Sequence, residues 1–390
     1  MIQRTPLRNA VLAAVAAAMA LVWIAAAQTA AFHWLKPTWA PTPIVPKDNP
    51  MSDAKVQLGR RLFYEKRLSL DGTMSCGSCH QQSRAFTDGQ PTHVGVTGEM
   101  GIRSAMTLTN VAYLPSYTWA NPQITSLEKQ MLIPLFSDHP LEMGLQGHDG
   151  ELRKALRADE CYRRLFEDAF PEQTEAITVA NLAKAIAAFE RTLLSFNSPY
   201  DRYKHGEPNA IPPAAKRGEA LCFGERLECY HCHGGTNFTD NNMQQGQAFP
   251  ESGFHNTGLY NEDGFGAYRK WDSGLRMVTE KEDDEGKFRT PTLRNIAVTA
   301  PYMHDGSIAT LEDVIRKHYA VKGHSAMTSK GASPMRDEFI VGFSINDREA
   351  RDLVAFLNSL TDDDFLRNPA FSDPSTVPKM PAKIGGPSGH

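Results

Sequence analysis

Apolar residues recur at helical spacing along most of the chain, and no window shows sustained alternation of apolar and polar residues. The stretch TVANLAKAIAAFERTLLSF (178–196) predicts a strongly amphipathic helix. In NDREARDLVAFLNSL (346–360), Asn346 and Glu349 match a capping box, and Ser52 is placed to cap another helix. Long loops containing Gly and Pro separate these segments, and such loops usually need something further to pack on. The pattern predicts a mostly α fold.

The stretch TLEDVIRKHYAVKG (310–323) predicts a helix with Leu311, Val314 and Ile315 on one face. Under the i, i+3, i+4, i+7 spacing, His318 takes the next position on that face. A histidine therefore stands where a core leucine would be expected, which indicates that its ring has a buried partner.

The two ends of the chain differ from its middle. An 18-residue apolar run, Ala10–Ala27, follows two arginines, so residues 1–30 are predicted to be a signal peptide or a membrane anchor. Residues 31–50 are rich in proline and predict a stiff linker. Residues 369–390 predict a flexible tail.

Length and charge limit the class of protein. A chain of 390 residues suggests about two domains. Its net charge is −4, and removing the N-terminal segment with its two arginines makes the remainder more acidic. This balance argues against a nucleic-acid partner.

Four of the six cysteines lie in two copies of one pattern, CGSCH (76–80) and CYHCH (229–233). C-x-x-C-H is the attachment motif of c-type haem, in which two thiols bind the porphyrin and the histidine binds the iron. A four-cysteine zinc site or a pair of redox dithiols would use the same thiols. Two copies with the trailing histidine in an exported chain favour two covalently bound haem c groups. Their predicted attachment residues are Cys76, Cys79, His80, Cys229, Cys232 and His233.

The two motifs end similar segments, LGRRLFYEKRLSLDGTMSCGSCH (58–80) and RGEALCFGERLECYHCH (217–233). Each segment runs from a predicted helix into its motif. The chain is therefore predicted to form two cytochrome-c-like domains, residues 51–205 and 206–368, each wrapped around one haem.

These segments, together with RAFTDG, PLEMG, AIAAFERTLLSFNSPYDRY, FHNTGL, FRTPTLRNIAVTAPYMHDG and LVAFLNSLTD, resemble the bacterial di-haem cytochrome c peroxidase and MauG superfamily. In character the chain is most similar to MbnH-type di-haem oxidases. The matches run in family order through almost the whole body. The resemblance implies an N-terminal haem with an open face that reacts with hydrogen peroxide, and a six-coordinate C-terminal haem that handles electrons.

The resemblance also implies roles for residues around the first haem. Glu142 in PLEMG corresponds to a distal glutamate that moves a proton on bound peroxide, and Gln130 matches the preceding family segment. His139 is a second candidate for the proton shuttle. Trp119 corresponds to a tryptophan between the two haems, and a simple packing role is its alternative.

At the second haem, the resemblance implies His318 as distal ligand, where peroxidases of the family have Met and MauG has Tyr. Met303, Tyr319 and Met327 stay open as alternatives. A second imidazole should lower the haem potential relative to a Met ligand. This departure shifts the expected function away from plain removal of peroxide.

Other positions follow from the resemblance less directly. Arg294 is expected to bind a haem propionate. His255 either lies near the second haem or braces a loop. Cys161 and Cys222 could form a disulfide in an oxidising compartment.

The family often holds a calcium ion between its domains, through an Asn side chain and backbone carbonyls. Here Ser104 stands at the Asn position, whereas carbonyls at Thr299 and Pro301 could remain. Calcium as a third cofactor is therefore in doubt.

The expected function is that of a periplasmic di-haem peroxidase or oxidase, exported and in the anchored case attached to the inner membrane. It would use hydrogen peroxide to form a high-valent, bis-Fe(IV)-like state and oxidise a residue of a partner protein, with tryptophan expected. The alternative is a cytochrome c peroxidase that reduces peroxide with electrons from a small cytochrome or cupredoxin. A non-enzymatic di-haem electron carrier is a third possibility.

Overall fold

The computed structural model describes residues 32–323 and 330–376. From Lys36 onward, the described residues fall into one compact unit. The predicted apolar run Ala10–Ala27 and the alternative ligand Met327 lie outside the described residues. Within the described ranges, every helix is too short or too polar to cross a membrane.

The described chain is mostly helical with little sheet, as the apolar pattern predicted. The α-helices are α1 (Asp53–Phe63), α2 (Cys76–Cys79), α3 (Leu127–Gln130), α4 (Leu132–Phe136), α5 (Asp149–Ala158), α6 (Glu160–Ala169), α7 (Val179–Glu190), α8 (Pro199–Lys204), α9 (Pro213–Cys222), α10 (Arg276–Thr279), α11 (Leu311–Asp313), α12 (Asp347–Asn358) and α13 (Asp363–Arg367). Short 3₁₀ turns lie at Lys66–Leu68, Gln82–Arg84, Val111–Tyr113, Cys229–His231, Glu282–Asp284, Ile296–Val298 and Tyr319–Val321, and a π-helical turn at Val314–His318. Two antiparallel pairs, β1 (Asn241–Asn242) with β2 (Glu251–Ser252) and β3 (Phe254–His255) with β4 (Phe288–Arg289), make up the sheet structure.

The first of the two similar segments, residues 58–80, begins in α1, which packs against α7. The Ser52 side chain caps α1 and the Thr178 side chain caps α7. Gly59 lets the two backbones touch, because a Cβ atom at this position would overlap the carbonyl oxygen of Ala185. This close approach positions the chain that leads from α1 into the first haem motif.

The second similar segment, residues 217–233, begins in α9, and a glycine again allows close backbone contact, here with α12. A Cβ atom at Gly218 would overlap the carbonyl oxygen of Asp352. Asn346 and Glu349 form the predicted capping box at the start of α12. Gly59 and Gly218 therefore occupy equivalent places. Each lies on the helix that precedes a C-x-x-C-H motif and contacts a helix that follows that motif.

The hydrophobic cores follow these helix pairs. One core contains Leu58 of α1 and Phe189 of α7, and another contains Phe356 of α12. After α12 the chain runs back to the first core, where Phe365 of α13 and Phe371 are buried with α1 and α7. The C-terminal part of the chain thus contributes to both cores.

The proline-rich segment is not a free spacer. The Tyr113 hydroxyl donates to the carbonyl of Pro41 at 2.7 Å, and Asn49 is buried, with its amide donating to Glu128 at 2.6 Å. The Trp39 ring stacks on His205. Prolines leave backbone carbonyls without helical partners, and the body supplies donors for them.

The beginning of the predicted tail also packs on the body. Tyr64 donates to the carbonyl of Phe371 at 2.7 Å, and Arg60 donates to the carbonyl of Ser372 at 2.7 Å. The prediction of a flexible tail is therefore wrong for residues 369–376, because these hydrogen bonds and the buried Phe371 ring hold the segment on the body. Residues 377–390 lie outside the described ranges.

Substitution of Gly59 by Ala should separate α1 from α7. The added methyl group has no room against backbone, so we expect the free energy of unfolding to fall by roughly 1–3 kcal/mol. Gly150→Ala in α5 is the matched control, because its Cβ would meet open space. That change should be neutral or stabilising by up to about 1 kcal/mol. Denaturant unfolding followed by circular dichroism measures both. Equal stability of the two variants would contradict this account of the helix pair.

Candidate functional site

The first haem motif begins in α2. Ser75 precedes α2, and its backbone N–H donates to the Ser78 hydroxyl at 3.0 Å. His80 ends the turn, and its Nδ1 donates to the carbonyl of Phe86 at 2.7 Å. Phe86 has a φ of 63°, a left-handed conformation that is uncommon for a bulky residue. The loop is thus bent to bring this carbonyl to the imidazole.

The second motif repeats the arrangement. His233 Nδ1 donates to the carbonyl of Phe238 at 3.0 Å, and Phe238 has a φ of 51°. A hydrogen bond from Nδ1 leaves Nε2 as the nitrogen with a lone pair for a metal. Burial lowers the pKa of both His80 and His233, which favours the neutral form that binds iron.

A cavity of about 300 Å³ adjoins the first motif. Its walls bring together most of the residues predicted for the first haem, namely Cys76, Cys79, His80, Trp119, Gln130 and Glu142. His139, the second candidate for proton transfer, is not in this wall. Its side chain is 89% exposed, and its Nδ1 lies 3.6 Å from Glu99.

His93 lines the same cavity and was missed by the sequence analysis. Its Nε2 lies 3.3 Å from Glu142 Oε1, although the angles leave this nitrogen without a well-aligned hydrogen bond among the described residues. The contact with Glu142 raises the pKa of His93. His93 sits in an irregular loop, where no periodicity marks a functional position.

Glu190 of α7 is a further acid in this wall that the sequence analysis did not single out. The carboxyl group is buried, and one of its oxygens has no hydrogen-bond partner within the described ranges. Burial raises the pKa of Glu190 to about 8. The sequence shows it only as one more residue of an amphipathic helix.

A second cavity, of about 210 Å³, adjoins the second motif. Its wall includes Cys229, Cys232 and His233, together with Met303 and Tyr319. Two of the alternatives considered for the distal ligand therefore lie on this wall.

His318 is buried, as the apolar spacing predicted, but it is not among the residues that line the second cavity. The turn Val314–His318 is π-helical, and the Tyr319 N–H donates to the carbonyls of Val314 and Ile315. The α-helical spacing used to select His318 therefore does not hold here. Because a π turn contains one extra residue, Tyr319 takes the place on the cavity wall. His318 is fully buried beside it, and neither ring nitrogen has a partner among the described residues.

Trp119 and Arg289 belong to the walls of both cavities. The indole N–H of Trp119 donates to the carbonyl of Ser104 at 2.9 Å, and the Arg289 backbone N–H donates to the carbonyl of Trp119 at 2.7 Å. The buried guanidinium of Arg289 donates to the carbonyl of Thr118 at 3.1 Å. Burial lowers the pKa of Arg289 to about 10. One tryptophan and one buried cation thus stand where the two cavities meet.

Arg294, predicted to bind a propionate, has other partners. Its guanidinium forms two hydrogen bonds to Asp201, at 2.9 and 3.0 Å, and donates to the carbonyl of Thr236. This buried pair links the loop after the second motif to α8. Arg289 lines both cavities, whereas Arg294 is not among the residues that line either of them.

A small third cavity, of about 70 Å³, brings Ser104, Thr299 and Pro301 together beside Trp119. Over the described residues, no feature of this cavity favours a calcium ion. Within the described chain its wall contains no carboxylate, and it includes the cationic Arg289.

His255 is held between two carboxylates. Its Nδ1 lies 2.6 Å from Asp337, and its Nε2 lies 2.6 Å from Asp240. Burial opposes the charged form, but the hydrogen bonds raise the pKa of His255 to about 11. His255 also lines the second cavity, so both of its predicted locations, near the second motif and bracing a loop, agree with the contacts.

Cys161 and Cys222 are free thiols. Cys161 is exposed on α6, whereas Cys222 is buried at the end of α9 and lines the second cavity. The disulfide considered from the sequence is therefore not formed, because one thiol is at the surface and the other is inside the core of α12.

The residues of both motifs fit a c-type haem. Each motif offers two thiols and an imidazole with an oriented Nδ1, and each adjoins a cavity whose wall is mainly apolar.

The family model described as di-haem cytochrome c peroxidase matches residues 53–209. Cytochrome-c peroxidase IdrP1 of Pseudomonas sp. (strain SCT) is 32% identical over 98% of this chain and 99% of its own length. Methylamine utilization protein MauG of Methylophilus methylotrophus is 32% identical over 81% of this chain and 84% of its own length.

Among solved structures, the chain is similar to a MauG-like protein associated with microbial copper homeostasis. The two are 47% identical with a TM-score of 0.85, over 88% of this chain and 100% of that chain. The chain therefore belongs to the di-haem cytochrome c peroxidase and MauG family, whose members are oxidoreductases that act with hydrogen peroxide.

Proposed function

We propose that this chain is a periplasmic di-haem enzyme that uses hydrogen peroxide to oxidise a residue of a partner protein, with tryptophan as the expected residue. The observation that carries the proposal is that Trp119 and Arg289 line both cavities. Two redox centres placed against one tryptophan are suited to sharing an oxidation. The identity of 47% with a MauG-like protein supports the same class.

The two haems would be held by Cys76, Cys79 and His80 in one core, and by Cys229, Cys232 and His233 in the other. When bound, they would supply the redox chemistry through which electrons reach peroxide. On this proposal each core packs around its own haem, and residues 1–30 serve as export signal or anchor.

The residues of the first cavity would handle protons. Reduction of hydrogen peroxide takes two electrons and two protons and yields two water molecules. We assign Glu142 to take a proton from one peroxide oxygen and return it to the departing oxygen. His93 would exchange protons with Glu142 across their 3.3 Å contact. Gln130 would orient the peroxide through its amide.

Trp119 and Arg289, which line both cavities, would carry electrons and bind a negative charge, respectively. Trp119 is an oxidisable ring that both cavities touch, and its hydrogen bond to Ser104 fixes its orientation. Arg289 is a buried cation whose described hydrogen bonds include no carboxylate. A haem propionate would supply the missing negative charge, so we transfer the role first assigned to Arg294 to Arg289.

We propose Tyr319 as the distal ligand at the second haem, because it is on the cavity wall. His318 is the second candidate, since a buried imidazole with both nitrogens unpaired is costly unless a metal or another partner takes one of them. Either residue would replace the thioether that raises haem potential, and would favour the oxidised forms. A low potential at the second haem suits the sharing of an oxidation better than plain removal of peroxide.

The proposal is tested by incubating the haem-loaded protein with hydrogen peroxide and candidate periplasmic partners, with copper-handling proteins first. We expect the intact mass of one partner to increase through oxidation of a tryptophan. Trp119→Phe should reduce the yield of modified partner, while the first haem still reacts with peroxide. If no partner changes in mass, and a reduced small cytochrome supports rapid turnover instead, the proposal is wrong.

Glu142→Gln should slow the reaction of the protein with peroxide by about 10²–10⁴-fold, because the amide cannot accept the peroxide proton. Stopped-flow absorbance of the haem band measures the rate. His139→Gln is the matched control, because this exposed side chain is not on the cavity wall, and it should leave the rate unchanged. A Glu142→Gln variant as fast as the parent would remove Glu142 from the proton pathway.

A further inference from the structure

A row of aromatic side chains begins at the second cavity. Phe288 and His304 both line the cavity and stack on each other, with ring centroids 3.7 Å apart and planes within 12°. The Tyr268 ring packs against both, at 6.0 Å from Phe288 and 6.3 Å from His304. One layer of rings therefore separates the cavity from an oxidisable tyrosine.

The row continues to the surface. The Tyr260 and Tyr268 centroids are 5.5 Å apart in an edge-to-face arrangement, and both tyrosines are buried. The Arg269 guanidinium lies 4.3 Å from the Tyr260 centroid and 5.6 Å from the Trp271 centroid, so one side chain bridges the two rings. Trp271 is 59% exposed. The row thus ends at an indole that a second protein can reach.

The surroundings of the row suit electron transfer. The Tyr260 hydroxyl donates to Asp305, so the phenol proton has an acceptor when the ring loses an electron. Asp272, next to Trp271, forms two hydrogen bonds with Arg103, at 2.6 and 2.9 Å. The loop that carries the indole is therefore fixed. A guanidinium over a ring opposes its oxidation, so only a strong oxidant could draw electrons along this row.

We infer that Tyr268, Tyr260 and Trp271 form an electron path, and that Trp271 is its surface end, where the protein substrate delivers electrons. The inference rests on the proposed function. Each electron drawn inward leaves Trp271 oxidised by one equivalent, and the electron-rich aromatic side chain of the substrate restores it. The Tyr260 proton moves to Asp305 and returns with the electron. Two such transfers supply the two electrons that reduce one hydrogen peroxide to two water molecules. The substrate side chain, oxidised by two electrons, releases the two protons that this reduction consumes.

The test traps the oxidised side chains. The haem-loaded protein is mixed with hydrogen peroxide and the spin trap 2-methyl-2-nitrosopropane without any partner, and adducts are located by peptide mass spectrometry. Haem absorbance is recorded in the same samples. We expect the trap on Trp271. In Tyr260→Phe the haem change should persist, while the Trp271 adduct falls roughly tenfold, which corresponds to about 1.4 kcal/mol of barrier.

Trp39→Phe is the matched control, because Trp39 stacks on His205 and belongs to no contact of the row. It should leave the Trp271 adduct unchanged. Thermal unfolding shows that each variant is folded. Two outcomes, both with the haem still oxidised by peroxide, would overturn the path while leaving the proposed function standing. One is an equally abundant Trp271 adduct in Tyr260→Phe, and the other is no adduct on Trp271 in the parent protein. A haem spectrum unchanged by peroxide would overturn the proposed function itself.

Discussion

The rest of this structure depends on how two half-buried imidazoles, those of His80 and His233, are oriented. Each donates a hydrogen bond from Nδ1 to the carbonyl of a phenylalanine. Both Phe86 and Phe238 have left-handed backbones, and such conformations cost of order 1–3 kcal/mol each unless the surroundings enforce them. The hydrogen bonds leave Nε2 of His80 and His233 available to a metal. The same strained turn at both motifs indicates that the orientation of each imidazole is what the fold preserves.

The rest of the architecture can be understood as support for these two turns. Gly59 and Gly218 let a helix before each motif lie backbone to backbone against a later helix. Each motif then adjoins its own cavity, and the walls of the two cavities meet at Trp119 and Arg289. On the proposed function, Trp119 would connect peroxide chemistry at the first centre to the second.

The features that could be predicted from the sequence are those that depend on local spacing. The two C-x-x-C-H motifs, the cap at Asn346 and the mostly helical content follow from short-range patterns, and the resemblance added Glu142 and Trp119, which the fold brings to the first cavity. The features that could not be predicted depend on long-range packing. His93 reaches Glu142 only through a loop.

Two further features of the site depend on structure that the sequence pattern does not show. One π turn moves the cavity position from His318 to Tyr319, and an α-helical template cannot register the extra residue. Arg294 is paired with Asp201, which lies far away in sequence, whereas Arg289 lines both cavities. The packing of the proline-rich segment likewise depends on donors such as Tyr113 in the body.

We propose that no methionine binds the iron of the second haem and that this haem shares the oxidation with the first. Low-temperature electron paramagnetic resonance of the diferric protein, before and after one equivalent of hydrogen peroxide, tests it most directly. The account predicts one high-spin signal and one low-spin signal without histidine–methionine character, both lost on addition of peroxide without prior reduction. A histidine–methionine signal, with no reaction until one haem is reduced, would contradict it and would favour a conventional cytochrome c peroxidase.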